Sequence, residues 1–172
     1  IVVSNDIKNI PQKIEIHEAD HPIPTERSVF GAQKILSLKK QFAIDENDLI
    51  IALISGGGSS LMAYPAEGIS LKDKQKTIEA LIKSGGNVHE ITVIKKKISA
   101  VKGGKLAQHF YPTPIVSLVL SDVIGNNLDV IASGPLAKDV STFDDALAII
   151  GKRRIQNDIP QIFYFHDSSF YL

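Results

Sequence analysis

The run Ser55-Gly56-Gly57-Gly58-Ser59-Ser60 sets three adjacent glycines between serine hydroxyls. Glycine has no Cβ, so the backbone N–H groups of Gly56, Gly57 and Gly58 can approach a ligand closely, and Ser55, Ser59 and Ser60 add further donors. The run therefore reads as a cradle for phosphate or carboxylate oxygens. The alternative, a plain tight turn, does not need three glycines, whose ordering costs backbone entropy. The run is not a Walker A loop, because G-x-x-x-x-G-K-[ST] occurs nowhere in the chain. It is not a complete G-x-G-x-x-G either, because Leu61 stands at the third glycine position. Anion binding follows from the pattern, and a nucleotide does not follow from it alone.

A second constellation is basic: Lys95-Lys96-Lys97, then Lys102-Gly103-Gly104-Lys105. On a helix, Lys95, Ser99 and Lys102 fall at i, i+4 and i+7 beside an apolar stripe, so this row would border the core. Next to Gly103-Gly104 it suits polyphosphate or carboxylate, although most lysine runs are solvated faces. The third constellation is Ser121-Asp122 with Gly125, Ser133 and Gly134. A carboxylate at the end of a buried strand can hold Mg²⁺ or take a hydroxyl proton, and the alternative is a turn-forming aspartate. His17-Glu18-Ala19-Asp20-His21 spells H-E-x-x-H, but zinc proteases need both histidines on one helical face. Pro22 pushes His21 out of the helical region, and the preceding Lys-Ile-Glu-Ile alternation reads as a strand.

These groups need a frame. Ile1–Ser4 and Lys13–His17 read as short strands. Thr25 caps a helix to about Phe42, with Val29, Ala32 and Leu36 on one face. Asp48–Ile54 and Ile115–Leu120 are continuous apolar runs, the pattern of parallel strands covered on both faces. Ser70 and Asp73 have capping-box spacing and open a helix that Gly85-Gly86 ends. Ile91, Ile94, Ile98 and Val101 predict a helix over 89–101. Lys105–Phe110 reads as a short helix, and Ser141–Asp144 opens another that stops at Gly151. Strands alternating with helices predict an α/β fold: a doubly wound, mostly parallel sheet with helices on both faces, a truncated Rossmann-like domain. The aromatic-rich stretch 163–172 has no place in that pattern.

The chain has 172 residues, 44% of them hydrophobic, enough for one core. Lys+Arg and Asp+Glu are equal at 19 each, which argues against a general nucleic-acid or membrane-surface binder. The absence of cysteine excludes disulfides and thiolate chemistry. No apolar run approaches a transmembrane span and the N-terminus lacks signal-peptide features, so a cytoplasmic location is expected. The chain begins with Ile1, which leads us to expect further sequence upstream.

Four stretches together resemble the glycerate 2-kinase family associated with the MOFRL domain: HEADHPIPTERS (17–28), LISGGGSSLMAYPAEGISLKDK (53–74), ISAVKGGKLA (98–107) and LVLSDVIGNNLDVIASGP (118–135). The resemblance implies a two-domain enzyme that transfers the γ-phosphoryl of ATP to the 2-hydroxyl of D-glycerate with Mg²⁺, giving 2-phosphoglycerate. Residues 1–151 would be the central part of the N-terminal domain and 152–172 an atypical tail, with the MOFRL domain absent. The family's upstream Gly-Lys-Ala segment is absent too. Its Arg-Lys-His-Leu-Ser appears as Lys95-Lys96-Lys97-Ile98-Ser99, and its Gly-Asp-Asp as Gly125-Asn126-Asn127. Some members carry the name hydroxypyruvate reductase, an activity discounted here for want of a complete dinucleotide fingerprint.

On this reading Asp122 and Lys102 are catalytic, with Asp122 also the Mg²⁺ ligand. Ser55, Gly56, Gly57, Gly58, Ser59, Ser60, Lys96, Gly103, Gly104, Ser121, Ser133 and Gly134 hold phosphate or substrate. The expected partners are D-glycerate and a nucleotide; nucleic acid and membrane are not expected. The rival readings are a non-catalytic remnant that binds an anionic metabolite and a sugar-phosphate-binding module.

Overall fold

The computed structural model describes the backbone of residues 2–4 and the full structure of residues 12–160. Strands β1 (Val2–Ser4) and β2 (Ile16–Glu18) pair in parallel. Strands β3 (Ile50–Ile54) and β4 (Ile115–Val119) form a second parallel pair, registered Ile50 to Ile115 through Ile54 to Val119. Parallel neighbours need a crossover. Here it runs through helices α2 (Gly58–Leu61), α3 (Leu71–Lys83), α4 (Val88–Lys97) and α5 (Lys105–Phe110). Helix α1 (Glu26–Gln41) precedes β3 and α6 (Phe143–Arg153) follows β4. The fold is α/β with parallel strands, as the alternation of elements predicts. No described helix is long and apolar enough to cross a membrane.

The helix starts are chemically explicit. Thr25 with Ser28, Ser70 with Asp73, Asn87 with Glu90 and Thr142 with Asp145 are all reciprocal capping boxes. Each one satisfies backbone donors that the first turn leaves free. The cap of α6 is Thr142, one residue beyond the expected Ser141. Gly151 does not stop α6. Arg154 takes the left-handed conformation instead (φ 55°), and Ile155, buried just beyond it, bonds back to the Ile150 carbonyl. Helix α4 ends at Lys97, four residues before the predicted end. Ala66 N–H donates to Ile98 O and Ala100 N–H to Tyr64 O, so the segment after Lys97 pairs with another strand-like stretch rather than extending the helix. The tail 163–172 lies outside the described residues.

Two apolar clusters form the core. Leu81, Val93, Ile94, Ile98, Ile150 and Ile155 join α3, α4 and α6. Ala32, Met62, Val101, Leu106 and Phe110 form the other, against which Ile50 and Ile115 pack the inner side of the β3–β4 pair. The opposite side is bare among the described residues: Ile51, Leu53, Val116 and Leu118 alternate outward, and Leu53 is 74% exposed. The continuous apolar runs predicted cover on both sides; the described helices supply it on one.

Candidate functional site

At the carboxyl ends of β3 and β4, on the bare side of the sheet, Leu53, Ile54, Ser55, Leu118, Val119 and Leu120 line an apolar groove of about 350 Å³, which the glycine loop borders at Ser55. This end of a parallel sheet is where open α/β folds bind ligands. The glycine run begins there. Gly57 is left-handed (φ 81°), which turns the chain from β3 straight into α2. Each of the three glycines faces a different segment. Any side chain at Gly56 would overlap the Asp122 carboxylate, a Cβ at Gly57 would lie 3.2 Å from the His21 ring, and one at Gly58 would lie 3.1 Å from the Ala132 Cβ. The glycines are thus required by close approach, and they bring Asp122, His21 and the 131–134 turn to one rim. Among the described residues no carbonyl accepts from the amides of Gly56, Gly57 or Ser59, whereas Gly58 N–H donates to Ser55 O and Ser60 N–H to Gly57 O.

Two further segments close on the loop. Ser59 Oγ is 3.0 Å from Ser133 Oγ and accepts from Lys95 Nζ at 3.2 Å. Lys102, fully buried, donates from Nζ to Gly58 O at 2.9 Å. Gly103 N–H donates to Ser133 O and Gly104 N–H to Gly134 O, both glycines being left-handed. Their role in the structure is to let the Lys102 corner clasp the 133–134 turn, so their amides are not open to a ligand. Ala132 and Ser133 also have positive φ (51° and 62°). For residues with a Cβ this costs about 1–2 kcal/mol each, and such strain gathers at functional sites.

The predicted site residues divide in space. The glycine loop, the Lys102 corner, Ser133, Gly134 and Asp122 converge. Lys96 turns away: its Nζ lies 2.8 Å from Asp129 and 3.4 Å from Asp139, with the side chain buried. The expectation that Lys96 contacts phosphate is corrected on that ground. Ser60 is buried and donates to Pro22 O at 2.6 Å, so it anchors the His21–Pro22 turn instead of facing a ligand. Ser121 is engaged within its own turn, donating to Val123 O and accepting from Val123 N–H. Asp122 is exposed, and no group of three His, Cys, Asp or Glu side chains that could hold a metal ion occurs among the described residues. His17 and His21 sit on β2 and the turn after it, away from any helix.

Electrostatics separates the lysines further. Burial pushes the Lys102 ammonium well below the ordinary lysine value, and repulsion from Lys74 and Lys95 adds to it. Burial, with repulsion from Lys95 and Lys105, brings Lys74 down to about 7. Burial also lowers Lys95. On the other side of α4, burial pushes the Asp139 carboxyl up, but hydrogen bonds from Lys97 and Ser141 outweigh it and leave the group below its usual value. One residue of this region escapes the sequence reading: nothing local marks Lys74 as buried. Lys95 belongs to the basic row expected to border the core, and His21, weighed above as a zinc ligand, lies instead against the glycine loop.

The family described as Domain of unknown function (DUF4147) matches residues 1–164. A glycerate 2-kinase of Pyrococcus horikoshii is 48% identical over 155 residues, 90% of this chain and 34% of the relative. A D-glycerate 2-kinase of Thermotoga maritima is 48% identical over 142 residues, 83% of this chain and 34% of the relative. The crystal structure of a glycerate kinase from Thermotoga maritima superimposes with a TM-score of 0.81 at 46% identity, covering 87% of this chain and 36% of that one. The chain spans about a third of the length of these relatives.

Proposed function

This chain belongs to the DUF4147 family, and from that premise we propose that it forms the anion-holding part of a kinase that moves the γ-phosphoryl group of ATP to the 2-hydroxyl of D-glycerate. The observation that carries the reading is the shared rim. The open amides of Gly56, Gly57 and Ser59 and the Lys95–Ser59–Ser133 cluster lie on the loop whose first glycine abuts the Asp122 carboxylate. Phosphoryl transfer asks a protein mostly for positioning and charge stabilisation. A cradle of donors beside one exposed carboxylate fits that demand.

In this scheme the substrate's 2-oxygen bonds to the γ-phosphorus as the bond to the bridging oxygen breaks and ADP leaves. Asp122 accepts the hydroxyl proton, and the amides with Lys95 hold oxyanion charge. Lys102 fixes the Gly58 carbonyl, and with it the loop. The donor set fits phosphate oxygens, and a lone exposed carboxylate fits Mg²⁺, a cation that commonly takes one or two carboxylates plus phosphate oxygens. When bound, Mg²⁺ would neutralise phosphate charge. A cytoplasmic setting completes the proposal.

The test is a coupled assay that separates 2-phosphoglycerate from 3-phosphoglycerate, run beside calorimetry with ATP-Mg and D-glycerate. In a full-length protein that carries this chain, Asp122→Asn should lower turnover at least about 100-fold, the low end for losing an acid–base group. An unchanged rate removes Asp122 from the chemistry. A second reading, a non-catalytic binder of an anionic metabolite, draws on Gly125-Asn126-Asn127, where the resemblance leads one to expect carboxylates. Binding without turnover favours it.

A further inference from the structure

Six lysines gather around the end of α4 and the Lys102 corner, and their ammonium groups have different partners. Lys96 pairs with Asp129 and Asp139, and Lys97 with Asp139 and the Ser141 carbonyl. Lys105 donates to the carbonyls of Lys96 and Ser99. Lys74 donates to Ile98 O and Lys102 to Gly58 O. Lys95 reaches a side chain of the glycine loop: its Nζ donates to Ser59 Oγ, which in turn meets Ser133 Oγ.

Charge divides the six. Lys96 and Lys97 are neutralised by carboxylates. Lys74, Lys95 and Lys102 repel one another, and none of them pairs with a carboxylate among the described residues. Buried like charges without a counter-ion are costly, and groups perturbed in this way gather at functional sites. Lys74 and Lys102 are too deeply buried to meet a ligand, at 4% and 1% exposed. Lys95 stands at the loop.

We propose that Lys95, with the hydroxyl of Ser59, forms an oxyanion subsite for a phosphate or carboxylate group, that the buried Ser133 positions Ser59 from behind, and that Lys96 serves the structure alone. The division follows from the helical turn, which sends successive residues of α4 in different directions. The helix ends at Lys97, with Lys95 directed to the glycine loop and Lys96 to Asp129 and Asp139. The inference rests on the anion-holding half of the reading above and is independent of phosphoryl transfer.

Calorimetric titration of the chain with inorganic triphosphate and, separately, with D-glycerate tests it and tells the two oxyanion sources apart. At least one should bind. Lys95→Gln should weaken that binding about 10- to 100-fold, the range for a charge-assisted hydrogen bond, and Ser59→Ala about 2- to 10-fold. Lys95→Arg should stay within a few-fold of wild type, and thermal melting should be cooperative throughout. Absence of binding to either oxyanion, or equal affinity in Lys95→Gln, overturns the subsite. If Lys95→Gln does not melt cooperatively, Ser59→Ala decides, and unchanged affinity there overturns it as well. Triphosphate binding through Lys95, with no turnover by a full-length protein that carries this chain, leaves the subsite standing and removes the kinase reading. Turnover with an unaltered KM in Lys95→Gln does the reverse.

Discussion

The block built from α3, α4 and α6 and the rim built from the glycine loop and the 131–134 turn lie on either side of one helix, yet they treat charge and backbone in opposite ways. In the block, Glu90 caps its own helix and receives Lys152 at 2.8 Å and Arg153 at 2.5 Å, and hydrogen bonding, that from Lys152 foremost, holds its carboxyl at about 2. Lys96 and Lys97 are buried but meet Asp129 and Asp139. At the rim, Lys95 and Lys102 pair only with hydroxyl or carbonyl oxygens, as does Lys74 of α3 where it approaches them, and two successive residues, Ala132 and Ser133, sit left-handed without being glycine, against Arg154 at the end of α6. The contrast sets a block held by ion pairs apart from the rim proposed above to bind an anion. The block pairs its buried carboxylates with cations, and the rim holds cations without carboxylates beside a strained turn.

Three substitutions break or sharpen that contrast. The largest effect belongs to Asp139→Ala. It leaves Lys97 without a carboxylate and Lys96 with one fewer, so urea unfolding should show a loss of about 3–5 kcal/mol. A loss no larger than that of an ordinary surface change, about 0.5 kcal/mol, would dissolve the distinction between block and rim.

Lys102→Met should act in the opposite sense. Replacing a buried charge that lacks a counter-ion with an apolar chain of similar length should raise stability by about 1–2 kcal/mol and weaken oxyanion binding. The sign has a pH signature. The folded-state pKa of Lys102 lies below the unfolded value of 10.5, so the unfolded chain holds more protons between the two. The wild type should therefore gain stability as pH rises through that window, and Lys102→Met should flatten the gain. A variant less stable than wild type at neutral pH would show that the Lys102–Gly58 hydrogen bond outweighs the burial of charge.

The smallest effect is expected of Ala132→Gly, which relieves one left-handed residue and should stabilise by about 1 kcal/mol or less, since added unfolded-state freedom offsets part of the relief. The melting temperature checks it. A clear fall would mean that the Ala132 methyl, packed against Gly58, matters more than the strain.

Local features were legible and directional ones were not. Ser70–Asp73 could be read as a cap because the whole motif lies within one turn. Asn87–Glu90 follows the same chemistry but was hidden behind Gly85-Gly86, which drew attention to the helix ending there. Ser141 and Thr142 are adjacent candidates with Asp144 and Asp145 three residues on, so sequence alone could not choose between them. The glycine loop and Asp122 each follow a strand, so their meeting at one end of the sheet is legible in the sequence; the Lys102 corner follows a helix, and its meeting with them is not. Lys95 is legible as a member of the core-bordering row, but the partners of Lys96 are not, since Asp129 and Asp139 lie 33 and 43 residues away. The apolar runs of β3 and β4 announced two covered sides, but cover is a property of the surrounding elements and cannot be read from the strand itself.

The outward row Ile51, Leu53, Val116 and Leu118 carries a thermodynamic consequence. Those side chains already touch water in the native chain, so unfolding hydrates less new apolar area than in a domain whose sheet is dry on both sides. The heat-capacity increment of unfolding should therefore be small for 172 residues, and the curve of free energy against temperature correspondingly shallow, with little curvature on either side of its maximum.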